Sequence, residues 1–198
     1  MPGVRIGVLA LQGGVAEHLA MLRAAGAEPV QVRRPESLEG LGGLVLPGGE
    51  STTLMKLIQR WKLEGAIRRT ANAGVPVWGT CAGAVLLSSR VSEREHEVHQ
   101  PSLGIAAVHA VRNRFGRQVD SFQEELAVTG LDRPFPGVFI RAPLLAPLDD
   151  TVEVLASVSE GAVFLRCGTV WLSSFHPELT SDSRLHRRFV RLAEDAAP

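Results

Sequence analysis

The order of apolar runs predicts an α/β fold built as a single domain over residues 1–198. In the first half, apolar runs alternate with stretches of helical spacing, which implies right-handed βαβ units and a mostly parallel sheet with helices on both faces. In the second half, strand-like runs follow one another through short turns, which implies an antiparallel extension. The chain is 45% hydrophobic and 21% charged, a balance that supports a packed core and argues against disorder.

Val4 to Leu11 is an apolar run broken only by Arg5 and Gly7, as expected of a strand buried on both faces. Gln12-Gly13-Gly14 turns the chain into a helix from Val15 to Ala25, with Val15, Leu19 and Leu22 on one face and Gly26 as its stop. Strands follow at Pro29–Val32 and Leu44–Leu46, and the second ends in Pro47-Gly48-Gly49-Glu50-Ser51. Helices are expected over Thr52–Arg60 and Glu64–Ala73, then a strand over Val75–Gly79 that leads into Cys81 and a further helix. The charged stretch Val91–Gln100 reads as an exposed loop. Strands are then expected at Ala106–Val111, Glu125–Val128, Gly137–Ile140, Val152–Ser157, Ala162–Arg166 and Val170–Phe175, with hairpin turns at Ser159-Glu160-Gly161 and Cys167-Gly168-Thr169. Ser183–Ala193 closes the chain as a helix.

Lys plus Arg and Asp plus Glu balance at 21 each, so no basic face is advertised and nucleic acid is not an expected partner. Two cysteines are too few for a disulfide framework and suit a reducing, cytoplasmic setting. The first residues begin a strand without the apolar region of a secretory signal. No apolar run approaches the ~20 residues of a membrane span, so no membrane association is expected.

Three stretches could carry chemistry. Gly79-Thr80-Cys81-Ala82-Gly83 places a thiol on a sharp strand-to-helix turn, in the position that Ser takes in the G-x-S-x-G elbow. Unpaired N–H groups and the positive dipole end of the following helix favour a thiolate there. The plainer alternative is a buried structural Cys. His176-Pro177-Glu178 offers a base and its orienter two residues apart, which in extended backbone point the same way; the alternative is an incidental surface turn. Pro47-Gly48-Gly49-Glu50-Ser51 offers side-chain-free backbone as an oxyanion site, with the N–H of Ala82 as the second donor. A turn in which Ser51 N-caps the helix is compatible with that role. No Gly-Lys-Ser/Thr follows, and no G-x-G-x-x-G follows the first strand, so phosphate-loop and dinucleotide fingerprints are absent. His96-Glu97-Val98-His99 lacks metal-site spacing and reads as solvated loop, and Cys167 reads as structural. Arg112 and Arg141 adjoin strands; either could grip a carboxylate, although surface arginines are the default.

The set Gly-Thr-Cys81-Ala-Gly, Pro-Gly-Gly-Glu-Ser and His176-Pro-Glu178 resembles the class I (triad) glutamine amidotransferases, whose glutaminase domain is flavodoxin-like. Within them the chain is similar to the glutaminase subunits of two-component pyridoxal phosphate synthases. That closer match rests on Leu11-Gln12-Gly13, the run Leu46–Thr53, Arg112-Asn113, the block Phe115–Phe122, Gly137–Pro143 and Ser174–Leu179. The resemblance implies that Cys81 attacks the carboxamide of L-glutamine, that His176 shuttles protons and that Glu178 orients His176. It further implies that Gly48, Gly49, Glu50, Arg112, Ile140 and Arg141 contact glutamine. It implies no metal or cofactor for this chain. Ammonia would pass to a barrel-type synthase subunit that makes pyridoxal phosphate (vitamin B6), and activity would await that partner, with the oxyanion loop near Gly48 inactive in the free chain. The competing readings are a glutaminase serving a histidine or nucleotide pathway, and a non-catalytic module on the same fold. The segment 91–101 departs from the family in being longer and more charged.

Overall fold

A computed structural model of the chain describes residues 3–93, 96–97, 100–112 and 121–196. Four strands and three helices alternate first: β1 (Arg5–Leu9), α1 (Val15–Ala24), β2 (Glu28–Val32), β3 (Gly43–Leu46), α2 (Ser51–Arg60), α3 (Glu64–Asn72) and β4 (Val77–Thr80). The short α4 (Ala82–Leu87) leads into β5 (Ser88–Glu93), β6 (His96–Glu97), β7 (Ala106–Arg112), β8 (Ser121–Leu126) and β9 (Phe135–Ile140). The last elements are β10 (Leu144–Pro147), β11 (Val152–Val158), β12 (Gly161–Cys167), β13 (Val170–Ser173) and α5 (Arg184–Asp195).

One sheet runs β2-β1-β3-β4-β13-β12-β10-β7-β5-β6, with β11 paired to β12. From β2 to β13 every pairing is parallel. Beyond β13 the order continues through antiparallel pairs with β12, β10 and β7, so the extension begins where the hairpin turns begin in sequence. The continuous apolar runs have the expected cause. Alternate residues of one strand serve two cores: Leu44 and Leu46 pack with Leu54, Ile58 and Ile67 of α2 and α3, while Val45 packs with Leu22 of α1 and Phe189 of α5. A second, two-stranded sheet, β8–β9, stands apart from the first. It is pinned to the main body where the His176 N–H donates to the Val138 carbonyl at 2.8 Å.

Three expectations need correction. Val91–Gln100 is not an exposed loop throughout: Val91 and Ser92 are buried in β5, which pairs with β7, and Gln100 is buried too. The charges of the stretch masked the end of a strand whose buried positions are Val91 and Ser92, with Ser88 buried ahead of them. The strand β10 has no counterpart among the expected strands, because Leu144–Pro147 is short, preceded by Pro143 and ended by Pro147. The inner face of α1 is centred on His18 and Leu22, both fully buried, with Val15 and Leu19 only partly covered. Residues 94–95, 98–99 and 113–120, including His99 and most of the block from Phe115 to Phe122, lie outside the described residues.

Candidate active site

Three neighbouring strands end at one place. Ser173 of β13 lies opposite Thr80 of β4, and Leu46 of β3 lies opposite Gly79 of β4. The segments leaving these strands carry His176, Cys81 and Gly48-Gly49, so the ladder itself brings them together at the carboxyl edge of the sheet, where open α/β folds place their ligands.

Cys81 has φ 49° and ψ −106°, a backbone region costly for any residue with a Cβ. The turn is held from both sides: the Cys81 N–H donates to the Ser173 carbonyl at 2.7 Å, and the Cys81 carbonyl accepts from Val85 N–H at 3.2 Å. It closes only because both flanks are glycine. A Cβ on Gly79 would lie 2.5 Å from the carbonyl carbon of Gly83, and one on Gly83 would overlap the Leu46 carbonyl. The thiol is 7% exposed, and its sulfur lies 3.8 Å from the Ile140 carbonyl.

His176 and Glu178 are nearly buried, and His176 Nδ1 meets Glu178 Oε1 at 2.7 Å. A single 3-10 turn, Pro177–Leu179, replaces the extended backbone expected there, yet the pair still faces. Burial disfavours the imidazolium, but hydrogen bonds with Cys81 and Glu178 outweigh it and raise the ring to about 10. Burial likewise opposes ionisation of Glu178, and its neighbours His18 and His176, the latter through a hydrogen bond, overcome that and hold the carboxyl below its usual range. Gly48 presses on this ring: a Cβ there would overlap His176 Cε1 and lie 3.0 Å from Nδ1 and 3.3 Å from the Cys81 Cβ. The Gly48 carbonyl accepts from Gly14 N–H at 3.2 Å.

A cavity of about 260 Å³ opens over the thiol. Its wall includes Gly49, Glu50, Cys81, Ala82, Arg112, Ile140, Arg141 and His176, so the structure gathers nearly all the residues singled out from sequence. Glu178 and Gly48 do not line the cavity: Glu178 sits behind His176, and Gly48 packs against the His176 ring. Arg141, at φ 45°, is the second strained residue on this wall. Arg112 reaches Glu50 Oε1 at 3.7 Å and donates to Gln100 Oε1 at 2.6 Å. The N-cap of α2 is Glu50, not Ser51. Its carboxylate accepts from Thr52 N–H at 3.1 Å and Thr53 N–H at 2.7 Å, and Ser51 Oγ instead donates to Gln100 at 3.2 Å. Burial pushes the Glu50 carboxyl up, but these bonds from Thr52 and Thr53 outweigh it and hold it at about 2.

Gln12 was noted only as part of a sequence block. It lines the cavity, and its Oε1 accepts from Glu50 N–H at 3.1 Å, tying the loop after β1 to the loop after β3. A polar residue between a strand and two glycines was the available signal. Among the described residues no group of three or more His, Cys, Asp or Glu could hold a metal ion.

A profile of the SNO glutamine amidotransferase family matches residues 8–195. The chain belongs to that family. It is 47% identical over 193 residues to the pyridoxal 5'-phosphate synthase subunit PdxT of Geobacillus kaustophilus, covering 98% of this chain and 96% of the relative. It is 50% identical over 194 residues to the PdxT of Thermus thermophilus, covering 98% and 99%. A crystal structure described as a glutamine amidotransferase superposes with a TM-score of 0.88 at 48% identity, covering 96% of this chain and 98% of that one. A putative GMP synthase subunit from Thermoplasma acidophilum shares the fold at a TM-score of 0.71 and 19% identity, covering 98% of this chain and 96% of that one. Within a family of amidotransferases, a thiol and an imidazole at a cavity wall, with a carboxylate behind the imidazole, suit acyl transfer from an amide.

Proposed function

We propose that the chain hydrolyses L-glutamine to L-glutamate and ammonia and delivers the ammonia to a synthase subunit that builds pyridoxal phosphate. The observation that carries the reading is the 2.7 Å bond from His176 Nδ1 to Glu178 Oε1 behind a thiol held on a strained elbow, in a cavity sized for a small metabolite. The printed names of relatives nearly half identical along the whole chain support it.

In this reading Cys81 Sγ attacks the side-chain carboxamide carbon, its proton passing to His176. The oxyanion takes hydrogen bonds from the N–H of Ala82 and from Gly48 or Gly49. His176 gives its proton to the departing nitrogen, ammonia leaves, and a γ-glutamyl thioester remains. His176 then takes a proton from water, hydroxide adds to the thioester, and glutamate departs as Cys81 is restored. Arg112 holds a substrate carboxylate, Glu50 fixes Arg112, and Arg141 and the Ile140 carbonyl close the other wall.

The partner is a barrel-type synthase, and the setting is cytoplasmic. Among the described residues no helix is long and apolar enough to cross a membrane. In line with the family resemblance, the free chain is weakly active until the partner docks; the Gly48 carbonyl of the oxyanion loop accepts from Gly14 N–H. The test is glutamate release with and without the synthase subunit, with Cys81→Ala as control. Loss of activity in the variant and a rise on adding the partner are expected; full activity in Cys81→Ala overturns the assignment.

A further inference from the structure

Behind the triad lies a second layer that the chemistry above does not use. His18 of α1 is fully buried. Its Nε2 lies 3.3 Å from Glu178 Oε2 and 3.1 Å from Thr80 Oγ1. Its Nδ1 lies 3.1 Å from Nε2 of His186, on α5, which is also fully buried. Trp78 walls the pair, with its ring centroid 6.2 Å from that of His18 and 5.0 Å from that of His186. Three elements distant in sequence therefore converge on His18, whose Nε2 stands against the one carboxylate oxygen that His176 does not occupy.

The proton positions follow from the partners. A carboxylate only accepts, so a lone pair on His18 Nε2 facing Oε2 at 3.3 Å would be repelled. The Nε2 therefore carries hydrogen, aimed at Thr80 Oγ1, with Glu178 Oε2 close beside it but outside hydrogen-bond geometry. That leaves His18 Nδ1 as the acceptor, so His186 Nε2 must donate to it. His186 Nδ1 is then a bare lone pair, which agrees with its having no hydrogen-bond partner in its buried position. We infer that His18 is a positioning residue for the triad: as a neutral Nε2–H imidazole, anchored by Thr80 and backed by His186, it sets its positive edge against the second oxygen of Glu178 and so keeps the first on His176.

The charged and titratable groups facing His18 are consistent with neutrality. Glu17 of its own helix and Glu178 favour the imidazolium, whereas complete burial and His176 disfavour it, and burial dominates. Burial also keeps His186 neutral, well below its ordinary range. A neutral donor suits the site, because a second fixed cation beside Glu178 would compete with His176 for the same carboxylate.

The inference rests on the glutaminase reading only for its kinetic arm. The mutation-free arm is nitrogen-15 NMR of the imidazoles in the intact chain at neutral pH. Neutral Nε2–H tautomers are expected for both His18 and His186; an imidazolium or an Nδ1–H tautomer at His18 overturns the inference. The kinetic arm compares His18→Leu with His18→Gln in the presence of the synthase subunit. Gln can present its amide N–H near the place of Nε2. His18→Leu is expected to lower kcat by about 10-fold or more, by analogy with the larger losses seen when a triad carboxylate fails to orient its histidine. KM for glutamine should hold, the acidic limb of the pH–kcat profile should shift, and His18→Gln should recover most of the rate. Wild-type kcat and pH profile in a folded His18→Leu overturn the inference, as does equal loss in both variants. Should wild type release no glutamate at all, the glutaminase reading fails while the tautomer test still decides this one.

Discussion

Gly48→Ala isolates the contact between the oxyanion loop and the base. Gly48 has no positive φ, so alanine fits the backbone and the whole effect is steric. The new methyl would overlap His176 Cε1 and sit 3.0 Å from Nδ1, while carbon–carbon contact is comfortable at about 3.5–4.0 Å, so the ring must shift by roughly 1 Å. The ring has nowhere to go without lengthening its 2.7 Å bond to Glu178. Misplacement of about 1 Å costs on the order of 100-fold in rate, and overpacking costs about 1–3 kcal/mol of stability. For a chain of this size that corresponds to a fall in Tm of roughly 2–4 °C per kcal/mol. The assay is steady-state glutamate release with the synthase subunit, beside a thermal melt. The alanine keeps the backbone N–H, so the loss is in the base and not the oxyanion donor, and the His176 imidazole resonances should move. Wild-type kcat with unmoved His176 resonances would refute the reasoning.

Other expectations follow from single observations. Cys81 sits at φ 49°, where only glycine is at ease, so Cys81→Gly should be inactive yet melt above Cys81→Ala by about 1 kcal/mol. A higher melt for the alanine variant would show that the elbow is unstrained. The His176 ring is raised from 6.5 to about 10, so its contribution to folding is complete below pH 6.5 and disappears as pH climbs through about 10. Melts of the wild type should therefore decline between pH 7 and 10, and those of His176→Gln should decline less; parallel curves would count against the coupling. Arg112→Gln should raise KM for glutamine by about 10–100-fold, the equivalent of about 1.5–3 kcal/mol for a charged hydrogen bond. A mutant with unchanged KM would remove Arg112 from the substrate carboxylate.

The sequence disclosed the site better than it disclosed what stands behind it. Cys81 between two glycines and the His176–Glu178 pair were legible because tight turns and short spacings are local properties. The parallel half was legible because strands buried on both faces need unbroken apolar runs such as Val4–Leu11. Hidden were features set by tertiary contact. Val91 and Ser92 lie within a charged stretch, and only pairing with β7 buries them. Ser51 has the ordinary look of an N-cap, but Glu50 takes that role once Gln100 engages the serine. His18 left a faint signal, a histidine four residues before the buried Leu22 on one helical face, but His186 and Glu178, its partners, are more than 150 positions away.

The small sheet β8–β9 divides the labour of the site. Cys81, His176 and Gly48-Gly49 leave adjacent strands of the large sheet, whereas Ile140, and Arg141 just beyond it, extend from the hairpin. Between the two parts run the bond from His176 N–H to Val138 and the approach of the Cys81 sulfur to Ile140. One wall of the cavity and the groups proposed to act on the amide are therefore mounted on separate frames. Such a chain can retune which side chain it admits by reshaping a hairpin, while the reacting groups keep the spacing set by their own ladder.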